Sequence, residues 1–375
     1  MKNKPFFLKN VQLSGYKSIK NVDIDFENGL NIIIGKNAAG KTNFLSFLDV
    51  IIKKTQKIYF DYYSKLLFFG KDEYLIEKES KFQKENNLDA NFFVNEIIKK
   101  NKKKIERTQL KLFYHSTLIK HGVPENYLFV DKSFSFELSN GEIDSNLVEL
   151  VINQGFPKFT SNLFYSVIYN FTIKKLKVNL KNIKDTIQLI SEKINLLKID
   201  LQKYSNINDI RLNKSYSIIK NEFNNYYLIN NLSLEFKIEN SWLPFSDLSD
   251  GTKRLFYIIS EVAIHTDINE NQLRIILLEE PELGIHPHQL HGLMQFLKEQ
   301  AEGKQIIIST HSPQVLNILG KKELNKIIIA TSEGKKGTVL KHLSEEQKNK
   351  AKSYMDDEAL FLSDYWMYSD LEERI

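Results

Sequence analysis

The stretch that most constrains this chain runs Leu30-Asn31-Ile32-Ile33-Ile34-Gly35-Lys36-Asn37-Ala38-Ala39-Gly40-Lys41-Thr42-Asn43. Ile32 to Ile34 read as a short buried strand. The strand enters Gly35, four further residues, then Gly40, Lys41 and Thr42, the G-x-x-x-x-G-K-[ST] pattern of a P-loop. Phe44, Leu45, Phe47, Leu48 and Ile51 follow at helical spacing. Strand, glycine loop and helix together are the setting that gives the pattern meaning. The two glycines let backbone approach a phosphate closely. Loop N–H groups and the helix N-terminus make an anion site. Lys41 supplies a point charge for the outer phosphates, and Thr42 a hydroxyl for a divalent cation. The whole run from Gly35 to Asn43 is therefore expected to hold a nucleoside triphosphate.

The 375 residues allow one large domain or two ordinary ones. With no cysteine, disulfides, thiol catalysis and Cys-ligated zinc are excluded. Met1-Lys2-Asn3-Lys4-Pro5 does not open a signal peptide, and no apolar run has the length of a membrane span. A cytoplasmic protein without a membrane partner is expected. The net charge of +5 is too mild to argue for nucleic acid by itself.

Leu8, Val11 and Leu13, then Val22, Ile24 and Phe26, are spaced as strands. Asn28-Gly29 predicts a hairpin that would set the P-loop strand antiparallel to its predecessor. Tyr59, Phe60, Tyr62, Tyr63, Phe68 and Phe69 form an aromatic cluster. Ile97 and Ile98 are expected on a helix ending in the basic run Lys99 to Lys104, more a solvated helix end than a phosphate patch. Tyr127 to Val130 and Phe134 to Leu138, with Asn140-Gly141, predict further hairpin strands. From Leu176 to Tyr204 apolar residues alternate spacings of four and three, which predicts a coiled-coil arm or an intermolecular helix pair. A second helix, about 208 to 224, is expected to return against it. Leu232 to Ile238 restores strand alternation.

Downstream, Leu248-Ser249-Asp250-Gly251 precedes an apolar helix through Leu255, Ile258 and Val262. The aliphatic run ending at Leu278 leads into Glu279-Glu280-Pro281-Glu282, and Ile306 to Ser309 leads into Thr310-His311. Strands alternating with helices around a P-loop predict a mostly parallel α/β sheet. Ligands gather at the carboxyl ends of such strands. Two carboxylates there suit a cation ligand followed by a general base, and a histidine suits a γ-phosphate contact.

In this order the motifs resemble the ABC-class ATPases of the SMC, RecF and OLD kind. Within that class the chain looks like the stand-alone AAA-type ATPases of prokaryotic defence operons, the RloA/AbiL, PARIS AriA and Septu PtuA ATPases. The likeness covers 8 to 54 and about 232 to 330. It implies ATP and Mg²⁺ as ligands. Gly35 to Thr42 would be Walker A, and Ser249, Asp250 and Gly251 a signature motif touching the ATP held by a second copy. Glu279 would join Thr42 at the metal, where most of the class has aspartate. Glu280 would be the base and His311 the switch histidine, with Lys41 the third catalytic group. His286-Pro287-His288 fits the family's helix start better than a metal site. Lys17-Ser18 lies where the family often has a basic-serine pair near the nucleotide. Gln56, Gln83 and Gln109 give no convincing Q-loop.

The expected organisation is an ATPase lobe over 1–54, an insertion over 55–230 with its arm at about 174–224, a second lobe over 231–345 and a helical tail over 346–375. No Toprim-type nuclease pattern follows His311. The resemblance implies a homodimer or larger homo-oligomer closed around ATP, acting as the sensor of a separately encoded effector in anti-phage defence. The alternatives are a RecF- or SMC-like ATPase acting on DNA and, less fitting, a transporter subunit.

Overall fold

The computed structural model describes residues 6–52, 60–85, 89–106, 113–120, 123–124, 135–139, 142–143, 172–178, 183–221, 226–263, 272–357 and 361–369. The chain begins with β1 (Phe7–Ser14), β2 (Val22–Asp25), β3 (Leu30–Ile34) and α1 (Lys41–Ile52). β4 (Tyr62–Phe69), β5 (Tyr74–Glu85), β6 (Asp89–Lys100), β7 (Lys103–Lys104) and β8 (Phe113–Lys120) follow. Then come β9 (Val123–Pro124), β10 (Ser135–Ser139), β11 (Glu142–Ile143), β12 (Thr172–Val178) and the helix α2 (Ile183–Tyr204). β13 (Asp209–Leu212), β14 (Ser217–Asn221), β15 (Tyr226–Ile238) and β16 (Ser241–Pro244) lead to α3 (Asp250–Ala263). β17 (Gln272–Glu279), α4 (Pro287–Gln300), β18 (Gln305–Thr310), β19 (Ile327–Glu333) and β20 (Gly337–His342) precede α5 (Glu345–Asp357) and α6 (Leu362–Tyr368).

The chain divides into two units, 1–121 with 270–283 and 297–375, and 122–269 with 284–296. The first holds the P-loop. Its central sheet runs β20-β19-β3-β18-β17-β8, with β3 parallel to both β18 and β19 and only β20 antiparallel. All five residues of β3 are buried, as expected of a strand covered on both faces. A second sheet, β2-β1-β4-β5-β6-β7, is antiparallel throughout. One core joins Leu8, Val11 and Leu13 of β1, Phe44, Phe47 and Leu48 of α1, and Ile33 and Ile307 of the central sheet. Each such side chain contributes about 1.5–3 kcal/mol by leaving water. Phe60, Tyr62 and Phe68 of the aromatic cluster belong to this core, whereas Tyr63 is exposed. Tyr16 stacks on Phe47 at 4.9 Å, and Phe60 and Tyr62 pack on the same ring.

Two expectations for this unit are corrected. The P-loop strand has no antiparallel neighbour, because β2 pairs with β1 while β3 lies in the other sheet. Gly29 does make a tight turn, with φ +84°. The side chain of Asn31, however, closes that turn on the N–H and C=O of Glu27, both at 2.8 Å, and the chain passes to the next layer. Ile97 and Ile98 stand on β6, not on a helix. The basic run is a hairpin in which Asn101 and Lys102 both have positive φ, the geometry of a two-residue primed turn. Lys100 pairs with Asp72 at 2.8 Å and Lys99 with Glu77 at 3.7 Å, so two lysines of the apparent patch are already neutralised.

The second unit is built on the long strand β15, which pairs with β12, β13, β14 and β16. β10 and β11 pair across 140–141 as the sequence predicts, while Tyr127 to Val130 lies outside the described residues. The heptad pattern is corrected. Leu176 is on strand β12, and the helix begins only at Ile183. Ile194, Leu197, Leu201 and Tyr204 are buried within their own unit, against β13 and α3. From Ile194 to Tyr204 the seam is therefore sequestered inside its own unit. The expected return helix is β13 and β14, with Ile218 opposite Ile229 on β15. Ile218 and Ile219 are β-branched, and pairing with β15 overrides their helical spacing. The described part of the insertion is thus mainly strand.

Candidate functional site

Three parallel strands of the central sheet end side by side. The N–H of Gly35, after β3, donates to the carbonyl of Thr310, the last residue of β18, at 3.3 Å. The N–H of Glu280, after β17, donates to Ser309 at 2.8 Å. The topology therefore brings P-loop, double glutamate and histidine together, as the sequence order predicts.

In the loop, Lys36, Asn37 and Ala38 are exposed and Ala39 is buried. Ala38 is held at φ +64°, a region few non-glycine residues occupy. Both motif glycines are needed for packing as well as for phosphate approach. A Cβ on Gly35 would lie 2.1 Å from the carbonyl of Ala330, and one on Gly40 would lie 1.9 Å from Oγ1 of Thr338. The ammonium of Lys41 donates to the carbonyls of Gly35 at 2.6 Å and Lys36 at 2.9 Å. It is pre-placed inside the loop it serves.

Thr42 at the start of α1 donates its hydroxyl to Oε1 of Glu279. The other oxygen of Glu279 is buried and makes no hydrogen bond. A buried carboxylate oxygen left unpaired beside a threonine hydroxyl is an oxygen donor set of the kind Mg²⁺ takes. The residues fit the ion that the motifs imply, and the longer reach of glutamate still brings its carboxylate to Thr42.

Glu280 is turned by a left-handed backbone, φ +44°, at the end of β17. Its Oε1 lies 3.0 Å from Nδ1 of His311. A second carboxylate, Glu282, lies 3.8 Å from the same nitrogen and accepts a hydrogen bond from Thr310. Burial pushes the Glu282 carboxyl above the ordinary glutamate range, although the Thr310 bond and the nearby His311 pull it back. The sequence does not single out Glu282 for a role at the site. The available signal was its position three residues after a strand-end glutamate, in a turn closed by the N–H of Leu283 on Glu280.

Ser18 is placed behind the loop. It accepts from Asn43 at 2.8 Å and from Thr338 at 2.7 Å, so it braces the turn at Gly40. Thr338 is fully buried, and nothing in its strand context marked it beforehand. Lys17 lies over the Tyr16 ring at 5.1 Å. His286 and His288 stack on each other at the start of α4. No cluster of three or more metal-ligating side chains occurs among the described residues. Of the Q-loop candidates, Gln83 is on β5 opposite Asn91, and Gln56 and Gln109 lie outside the described residues.

Ser249, Asp250 and Gly251 belong to the second unit. Oγ of Ser249 caps α3 by accepting from the N–H of Thr252 at 3.2 Å. Asn206 holds Thr252 from α2's side at 3.1 Å. Phe256 of α3 meets Phe236 of β15 edge-on at 4.8 Å, which anchors the helix. Gly251 has no room for a side chain, since a Cβ would lie 2.6 Å from the carbonyl of Gly284. Ser249 and Asp250 are exposed. These residues thus present a capped helix N-terminus to solvent.

No described helix is long and apolar enough to cross a membrane. The fold is that of SMC heads. A crystal structure of an SMC head bound to the C-terminal winged-helix domain of ScpA superposes with a TM-score of 0.52 at 14% identity, over 92% of this chain and 99% of that one. A Pyrococcus furiosus SMC head with extended coiled coil gives 0.50 at 13%, over 95% and 100%. Among curated relatives, an "ATP/GTP phosphatase" of Helicobacter pylori is 24% identical over 340 residues, 83% of this chain and 87% of that protein. The "Retron Ec83 probable ATPase" of Escherichia coli is 27% identical over 169 residues, 41% of this chain and 31% of that protein. The "DNA replication and repair protein RecF" of Bacillus cereus is 26% identical over 205 residues, 51% and 52%. The chain thus spans about half of RecF and under a third of the retron ATPase. The family described as "AAA domain, putative AbiEii toxin, Type IV TA system" matches residues 30–317. This chain belongs to that AAA-domain family.

Proposed function

We propose that the protein hydrolyses ATP in a site shared by two copies, and that closure of this dimer is the signal it transmits. The observation that carries the reading is the convergence of Thr42, Glu279, Glu280 and His311 at three adjacent strand ends, with Lys41 in the loop beside them. The loop N–H groups and Lys41 bind the β- and γ-phosphates. Thr42 and Glu279 would hold Mg²⁺, which when bound neutralises charge on the phosphate oxygens. Glu280 orients a water and accepts its proton as the water oxygen forms a bond to the γ-phosphorus. The bond from that phosphorus to the β,γ-bridging oxygen breaks, and ADP leaves. His311 uses one nitrogen on Glu280, which leaves the other for the γ-phosphate. The exposed Ser249 hydroxyl and the N-terminus of α3 suit the γ-phosphate of a second copy's ATP.

The retron and AbiEii names favour a defence role, with the dimer state read by a separately encoded effector. The RecF likeness favours a second reading, an ATPase that closes on DNA. Phosphate release from Mg²⁺-ATP, measured with and without duplex DNA, tests both. Turnover independent of DNA supports the first reading, and turnover raised several-fold by DNA supports the second. No phosphate release under either condition contradicts both.

A further inference from the structure

The first unit carries a second concavity, built from residues outside the ATP site. It lies between the 3-10 turn Lys321–Lys326 and α5, with a volume of about 340 Å³. Lys321 and Lys322 enter from the turn, and Lys348 and Lys352 from the helix. The last two are four residues apart and so share one helical face. Leu324, 1% exposed, also lines it.

Four ammonium groups face two carboxylates here. Lys321 pairs with Asp356, and Lys348 pairs with Glu345 at 2.9 Å. Neither Lys322 nor Lys352 forms an ion pair among the described residues. The Lys348 hydrogen bond, with the charge of Lys352 added, keeps the Glu345 carboxyl below its ordinary range. A solvated helix face spreads its charges outward. This arrangement instead converges like charges from two elements on one hollow, which concentrates the positive potential there. The lining contains no arginine fork and no aromatic ring. That leaves nothing to stack on a base or grip a carboxylate in a bidentate way. Lysine ammonium groups are compact charges with three donors each, suited to phosphate oxygens from several directions.

We propose that this groove binds clustered phosphate groups, supplied either by a free oligophosphate or by a nucleic-acid backbone. The probe is inorganic tripolyphosphate, titrated calorimetrically into the full chain carrying Lys41→Ala, so that the P-loop does not compete. Binding is expected, and Lys322→Glu with Lys352→Glu added should weaken it at least tenfold. Lys322→Arg with Lys352→Arg should retain it. A second titration, on the otherwise unaltered chain saturated with a non-hydrolysable ATP analogue, guards against misfolding of the Lys41 variant. Random duplex DNA then identifies the source. Displacement of tripolyphosphate, weakening steeply with salt, assigns the backbone. Retained tripolyphosphate binding without displacement assigns the free oligophosphate. Absence of binding by both probes, or binding indifferent to the charge reversal, overturns the proposal. ATP turnover of the charge-reversed chain should match the unaltered chain, which separates this site from the P-loop.

Discussion

Thr42 gives its hydroxyl hydrogen bond to one oxygen of Glu279, and the other oxygen of that carboxylate is buried without a partner. Leaving such an atom unpaired costs about 1–3 kcal/mol. Binding a cation offsets that cost. Glu279→Gln keeps the shape and removes the charge. The Mg²⁺ concentration for half-maximal turnover should rise by roughly 10–100-fold. An unchanged Mg²⁺ dependence in a steady-state titration would remove Glu279 from the metal site.

Glu280 is assigned as the base on its position against His311 at 3.0 Å. Glu280→Gln should bind ATP normally while turnover falls by about 10²–10⁴-fold. The ATP-bound assembly should then accumulate and be visible by mass photometry. Turnover equal to the unaltered chain would show that another group takes the proton.

Glu282 is the residue whose burial works against it. Its folded-state carboxyl titrates above the ordinary value. A carboxyl raised in this way favours folding most below the ordinary glutamate pKa, about pH 4, and loses that contribution as pH rises through the raised value. At neutral pH the charged side chain is therefore a net cost. Glu282→Gln should raise the melting temperature at pH 7, by something on the order of 1 kcal/mol in stability, with the gain shrinking toward pH 4. Because Glu282 also faces His311, turnover should fall about tenfold. Thermal melts across pH, set beside kinetics, check both halves. A lower melting temperature at pH 7 would refute the sign.

The seam of α2 gives a contrast between two leucines. Leu201 is fully buried, whereas Leu196 is 62% exposed. Leu201→Ala should cost about 2–5 kcal/mol in urea unfolding, and Leu196→Ala about 0.5 kcal/mol or less. Neither should alter self-association. A change of oligomeric state in either variant would restore the intermolecular helix pair.

Much of the candidate site was legible because its chemistry is local. Gly35 to Asn43 is one continuous segment, and each carboxylate follows an unbroken aliphatic strand, so residue order alone placed Glu279, Glu280 and His311 at strand ends. What could not be read is what depends on distant partners. Ser18 and Thr338 support Gly40 from opposite ends of the sequence. Asn31 redirects the chain after Asn28-Gly29 through a side-chain bond that no dipeptide rule contains. The seam from Leu176 to Tyr204 has a repeat shared by a coiled coil and by a helix with one buried face, and from Ile194 to Tyr204 only β13 and α3 decide between them. The strands at Ile97 and Ile218 owe their form to neighbours in the sheet.

The central claim is that each ATP site takes its P-loop from one copy and its signature from another. Two inactive variants test it directly. Lys41→Ala removes the phosphate charge. Ser249→Asp keeps a capping side chain on α3 and repels the γ-phosphate. Each alone should have almost no phosphate release. In an equimolar mixture, half of the dimers would be mixed, and each would hold one intact site, so release should recover to about a quarter of the unaltered rate. A mixture no more active than its separate components, or full activity from Ser249→Asp alone, would contradict the shared site.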